Sequence, residues 1–176
     1  MSIKASRFRG YSLIELIVTI SIVSIAAVIA VPNFIDTIRS NRLTTQVNEL
    51  VTSFNLARSE AIKGGVKVVV CKTNNGSSCV TSGGWNQGWM VFTDQSGNGS
   101  YESASDILIR VNQASPDGIS IAGNTNVQSY VKYQSTGVIS SGAGTITFCD
   151  GRSGNYGKSI VLVSTGRARI DSNVSC

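Results

Sequence analysis

The chain has 176 residues, a length that suits one domain better than two. Charged residues make up 14% of it, against about 25% in an average globular domain, and 41% are hydrophobic, so neither a disordered chain nor a coiled coil fits. With no histidine, a Ser-His-Asp or Cys-His nucleophile and a His-ligated metal site are both excluded.

The net charge of +5 is unevenly spread. Lys4, Arg7 and Arg9 fall in the first ten positions, and setting them aside leaves 12 basic against 10 acidic residues, a balance of +2. A polyanionic partner must therefore be argued from where the charges cluster. From Ser12 to Val31 follow twenty residues whose only charge is Glu15. At about 1.5 Å rise per residue they match a hydrocarbon core of roughly 30 Å. A single membrane-spanning helix is expected, with the basic stretch before it on the cytoplasmic side. A secretory signal would place its small-residue cleavage site after the apolar run, whereas Gly10 stands before it.

Arg9-Gly10, then Tyr11-Ser12-Leu13-Ile14-Glu15, then the apolar run and Pro32 together resemble the class III leader of type IV pilins and pseudopilins. The resemblance implies that a prepilin peptidase cuts between Gly10 and Tyr11 and methylates the new amine. Tyr11 stands where Phe is usual and keeps the aromatic ring. Glu15 fits this picture physically. A carboxylate one turn inside an apolar helix costs roughly 2.5 kcal/mol or more, which calls for a partner. The freed Tyr11 amine of a neighbouring subunit is a suitable one, and the pair would set the axial register of a filament. The plainer alternative leaves Glu15 at headgroup depth.

Beyond Pro32, Leu43, Val47, Leu50, Phe54, Ala57 and Ala61 recur at alternating spacings of four and three, one stripe of an amphipathic helix. Arg42, Asn48, Asn55 and Ser59 lie off it, and Gly64-Gly65 supplies the stop. The helix is expected from near Tyr11 to Lys63, bent at Pro32. After Gly65 the period becomes that of strands, at 66–72, 88–93, 107–111, 119–122, 127–133, 145–149, 159–164 and 167–171, separated by Gly/Asn/Ser-rich turns. The predicted fold is α+β and type IV pilin-like, a long N-terminal helix packed on a mainly antiparallel sheet. Its divisions are a leader over 1–10, a transmembrane helix over 11–33 and a head over 34–176. Within the head an amphipathic helix covers 34–63 and the β-sheet region 66–176.

Four cysteines, Cys71, Cys79, Cys149 and Cys176, lie beyond the span, where disulfides persist. They allow three connectivities that sequence does not decide. Cys71 with Cys79 and Cys149 with Cys176 is favoured, because the first closes a loop around Asn74-Asn75-Gly76 and the second pins the chain terminus to a strand. A four-Cys zinc site lacks its usual short Cys-x-x-Cys pairs, and no cofactor is expected.

Two candidate sites are better read as structure. Asp94-Gln95-Ser96-Gly97-Asn98-Gly99-Ser100 resembles the start of a calcium loop, yet Ser105 stands where the bidentate glutamate belongs, so a Gly/Asn-rich hairpin loop is favoured. Trp85 and Trp89 would stack on bases or a partner if exposed, but packing between helix and sheet is favoured.

The C-terminal stretch differs. In Gly166-Arg167-Ala168-Arg169-Ile170-Asp171 an extended backbone points Ala168 and Ile170 one way and the two arginines the other, about 6.6 Å apart, a spacing that suits successive phosphates of one strand. Guanidinium forks bind phosphate bidentately, and Gly166 leaves room for close backbone approach, with its own N–H as a further donor. From Gly151 onward four basic residues, Arg152, Lys158, Arg167 and Arg169, face one acid, Asp171, whereas residues 64–149 balance four against four. Lys132 is a further candidate for the patch.

Cys71 before its Gly/Asn loop, Gly88-Trp89-Met90-Val91-Phe92-Thr93-Asp94 and Ile107-Leu108-Ile109-Arg110 give a layout that looks like the GspH/FimT group of minor pseudopilins. FimT-like members associated with DNA uptake carry a C-terminal Gly-Arg-x-Arg motif, which Gly166-Arg167-Ala168-Arg169 matches. The resemblance implies DNA-phosphate contact by Arg167 and Arg169, with Arg152 and Lys158 adding positive charge. It also implies a non-enzymatic single-pass protein of the inner membrane. Its head would lie in the periplasm or be displayed on a pilus, and its partners would be double-stranded DNA, other pilins and prepilin peptidase. The alternative is a GspH-like pseudopilin with a structural role in type II secretion.

Overall fold

The computed structural model describes residues 10–176, apart from the side chains of Pro32 and Asn33. Lys4, Arg7 and Arg9, and the bend expected at Pro32, lie outside the described residues. Helix α1 runs over Leu13–Gly64. Ser12 caps it: its carbonyl accepts the Leu16 N–H at 3.2 Å and its hydroxyl accepts the Glu15 N–H at 3.3 Å. Ser12 and Glu15 thus stand at the spacing of a capping box, a local role for Glu15 beside any filament role. The helix ends at Gly65, whose φ of +65° suits glycine.

The chain divides into two compact units at Arg39/Ser40. In the first, the helix is long and apolar enough to cross a membrane, and every side chain from Tyr11 to Val31 is exposed. Such a surface is stable only in apolar surroundings. The hydroxyls of Thr19, Ser21 and Ser24 donate to the carbonyls of Leu16, Ile17 and Ile20, so these polar groups enter no apolar phase unpaired.

The second unit, Ser40–Cys176, holds the rest of α1 and two antiparallel sheets rather than the single sheet expected. Strands β1 (Val68–Lys72), β2 (Trp89–Thr93), β3 (Leu108–Asn112), β5 (Tyr130–Tyr133) and β6 (Ile139–Ser141) form one, in the order β3-β2-β1-β5-β6. Strands β4 (Ser120–Gly123), β7 (Gly144–Cys149), β8 (Gly157–Leu162) and β9 (Ala168–Val174) form the other, in the order β4-β7-β8-β9. The strand expected over 127–133 starts only at Tyr130, because residues Thr125–Val127 turn as a short 3-10 helix. Strand β6, with one apolar residue in three, gives no alternation to read.

All six stripe residues of α1 are buried, in one core with Val68, Val70, Val91, Val131 and Tyr133 of the first sheet and Ile121, Ile146, Phe148, Ile160 and Leu162 of the second. Val69, Cys71, Met90 and Phe92 are buried on the opposite face of the first sheet, under Tyr101 and Tyr130. With both faces covered, β1 and β2 read as unbroken apolar runs instead of alternating ones. The disulfides pair Cys71 with Cys79 and Cys149 with Cys176, the second joining the end of β7 to the chain terminus.

Candidate nucleic-acid interface

Strands β8 and β9 form a hairpin in which Leu162 faces Ala168, Val161 faces Arg169, Ile160 faces Ile170 and Ser159 faces Asp171. Leu162 and Ile160 belong to the core, so Ala168 and Ile170 lie on the core side of β9 while Arg169 and Asp171 lie on the other. Arg167 precedes the strand and belongs to the turn, where its carbonyl accepts the Val163 N–H at 3.1 Å. Both arginines are exposed. Arg169 Nη2 lies 3.0 Å from Asp171 Oδ2, with the side chains 72% and 39% exposed. Such a surface pair contributes about 0–1 kcal/mol and exchanges readily for another anion.

Gly166 plays a different part from the one its sequence position suggests. It is buried, its φ is +84°, and its N–H donates to the Val163 carbonyl at 2.8 Å. A side-chain carbon there would collide with the Gly137 carbonyl in the β5–β6 turn and come within 3.1 Å of Arg58 Nε. The Ile139 N–H donates to the Ser164 carbonyl at 2.8 Å, tying the two turns together. Glycine is needed to pack this corner, and its N–H is not available to a ligand.

Two further residues expected in the patch are placed elsewhere. Arg152 Nε donates to both Asp150 oxygens at 3.0 and 3.1 Å, and Nη2 donates to Asp150 Oδ2 at 2.5 Å and to Ser40 Oγ at 3.1 Å. The guanidinium carbon lies 4.5 Å from the Tyr156 ring centroid, and the paired side chains are only 11% and 5% exposed. Its donors are committed, and withdrawing it would leave a buried carboxylate uncompensated. Lys158 lies opposite Phe148 on the core side of β8, the face away from Arg169. It makes no ion pair among the described residues, and its face separates it from Arg169.

Lys132 is also engaged. Its Nζ lies 3.3 Å from Asp94 Oδ2 and donates to the Gly97 carbonyl at 2.7 Å. Asp94 further accepts the Gly97 and Gly99 N–H groups at 2.9 and 3.1 Å, and Asp106 accepts those of Gln95 and Glu102 at 2.9 and 2.8 Å. The calcium-like loop is thus closed on its own backbone, with a lysine ammonium beside its buried carboxylate. Among the described residues no group of acidic or cysteine side chains is placed to hold a metal ion. Both tryptophans are fully buried: Trp85 Nε1 donates to the Val127 carbonyl at 3.0 Å, and Trp89 Nε1 to Ser53 Oγ on α1 at 2.8 Å. Neither is open to a base.

One residue at this corner escapes the sequence reading. Arg58 on α1 is half-buried, its Nε is enclosed without a partner, and it makes no hydrogen bond or ion pair among the described residues. The Tyr133 hydroxyl is likewise buried and has no hydrogen-bond partner among the described residues; burial pushes the phenol well above its ordinary range, and the nearby Arg58 charge opposes this in smaller measure. The only sequence signal is adjacency: Arg58 follows Ala57 of the apolar stripe and precedes Ile62 by one turn, a flanking position that touches the sheet side. In the first unit, Tyr11, Glu15, Leu16 and Thr19 line one shallow cleft, so Tyr11 and Glu15 lie on the same side of the helix start.

The family profile described as "Type II transport protein GspH" matches residues 46–166, and the one described as "Prokaryotic N-terminal methylation motif" matches residues 5–31. No curated protein matches significantly in sequence. Among solved structures, the type IV minor pilin FimU of Pseudomonas aeruginosa aligns with a TM-score of 0.56 at 16% identity, covering 76% of this chain and 90% of that one. The minor pseudopilin EpsH from the type II secretion system of Vibrio cholerae aligns with a TM-score of 0.51 at 9% identity, covering 77% and 99%. At such identities the likeness is one of fold.

Proposed function

The chain belongs to the GspH family of type IV pilin-like minor pseudopilins, and we propose that it is a minor pilin that captures extracellular DNA through Arg167 and Arg169 for uptake in natural transformation. In this reading prepilin peptidase cleaves after Gly10 and methylates Tyr11, and Glu15 pairs with the amine of a neighbouring pilin in the filament. The head, periplasmic before assembly, is then carried on the pilus and displayed at the cell surface.

The observation that carries the proposal is the exposure of two arginines at one hairpin end, one unpaired among the described residues and one held only by a solvent-exposed carboxylate. The contacts are to phosphates, which lack sequence information, so binding is non-specific. Counterion release supplies the free energy, and two phosphates give a salt slope of about 1.8. Affinity per subunit is accordingly weak and falls steeply with salt. The chain itself catalyses nothing in this account.

The test uses full-length protein in neutral-detergent micelles and a fluorescent DNA duplex read by anisotropy. The Arg167→Gln, Arg169→Gln double variant should lose most of the binding at low salt, and unchanged affinity contradicts the proposal. A second reading is favoured by the description of the family profile: a structural subunit of a type II secretion pseudopilus with no use for DNA. A deletion strain separates the two. Loss of transformation with secretion intact supports the first, and the reverse supports the second.

A further inference from the structure

Arg58 is chemically unlike the other half-buried arginine of the head. Arg152 spends its fork on Asp150, whereas Arg58 has neither a carboxylate nor a carbonyl acceptor among the described residues. A positive charge taken partly out of water without a counter-ion is a cost to the folded state. The protein nevertheless builds a place for it. Gly137 and Gly166, both at positive φ, leave the room it occupies: side-chain carbons at those positions would lie 3.2 and 3.1 Å from its Nε. Gly166 is followed directly by Arg167, so Arg58 Nε lies beside the turn to which the exposed Arg167 belongs.

We infer that Arg58 is a third phosphate-binding cation of this interface, taking a backbone phosphodiester of duplex DNA beside the one that Arg167 takes; the inference rests on the DNA reading above. The enclosed Nε and the paired glycines hold the guanidinium in place before any ligand arrives. A phosphate oxygen then supplies the acceptor and the charge compensation that the fold omits. Arg169 on β9 takes the next phosphate along the strand.

The test compares salt titrations of duplex binding by full-length protein in micelles for Arg58→Gln, Arg58→Lys and the Arg167→Gln, Arg169→Gln double variant, with thermal unfolding of each. Arg58→Gln should reduce the salt slope by about 0.9 and weaken binding on the order of tenfold at low salt, because one phosphate contact is lost. Its unfolding midpoint should not fall, since an unpartnered buried donor is removed. Arg58→Lys should keep the slope, because the charge stays, and bind more tightly than the glutamine variant. Wild-type binding by Arg58→Gln, a lysine variant no better than it, or a lowered midpoint accompanying the loss overturns the role of Arg58. If the double variant binds like wild type, the DNA reading itself fails; if it loses binding while Arg58→Gln does not, only the present inference fails.

Discussion

Arg152 and Arg169 each stand two residues from an aspartate in the C-terminal quarter of the chain, and their environments part them completely. The Arg152–Asp150 pair has side chains 11% and 5% exposed, four hydrogen bonds from the guanidinium and a tyrosine ring alongside. The Arg169–Asp171 pair makes one contact with its side chains 72% and 39% exposed. Burial turns the same two groups from an exchangeable surface pair into a fixed structural clasp. The lesson is that a count of basic residues measures a polyanion site poorly. The charge on offer depends on which cations have been desolvated and committed, and here that leaves the hairpin turn rather than the whole C-terminal stretch.

The contrast is sharpened by breaking each pair. Asp150→Asn strands a buried guanidinium and should destabilise the head by about 3–5 kcal/mol, read by denaturant or thermal unfolding. Replacing Cys149 and Cys176 with serine, which removes the staple beside that clasp, should cost about 3.5 kcal/mol by the loop-closure estimate for a separation of 27 residues. DNA affinity below the new midpoint should persist, because neither cysteine belongs to the hairpin turn. Gly166→Ala forces a side chain into a left-handed φ of +84° and against the Gly137 carbonyl, and should cost roughly 2 kcal/mol in unfolding measurements. Asp171→Asn should alter stability by less than about 0.5 kcal/mol, since the pair is exposed. It should still tighten DNA binding by about threefold at low salt, because a competing carboxylate is gone; equal or weaker binding would show that Asp171 does not restrain Arg169.

Much of the fold is legible because burial imposes periodicity. The Leu43 to Ala61 stripe, all of it buried, follows the helical repeat without a miss, and the hairpin alternation places Ala168 and Ile170 opposite Arg169. What is illegible depends on partners distant in sequence. Nothing local announces that the strands split into two sheets, and β6 is too short and polar to stand out. At the site, the exposure of Arg169 follows from local alternation, whereas Arg167, expected on the same strand, belongs to the turn before it. The commitment of Arg152 depends on burial that includes Ser40, 112 residues away, which no local pattern encodes. The wrong face of Lys158 was open to the eye, since it shares parity with Ile160 and Leu162. Arg58 was hidden, because its neighbours Gly137 and Gly166 come from two other turns.

The central claim is that the hairpin end offers two exposed guanidinium groups to a polyphosphate, Arg167 free among the described residues and Arg169 held only by an exchangeable surface pair. It is tested most directly by the slope of log K against log salt for a DNA duplex, comparing the intact chain in micelles with the Arg167→Gln, Arg169→Gln variant. The account predicts that the slope shrinks by about 1.8, two phosphates at about 0.9 each, with the fold's unfolding midpoint unmoved. A variant that matches the wild type in both slope and affinity contradicts it.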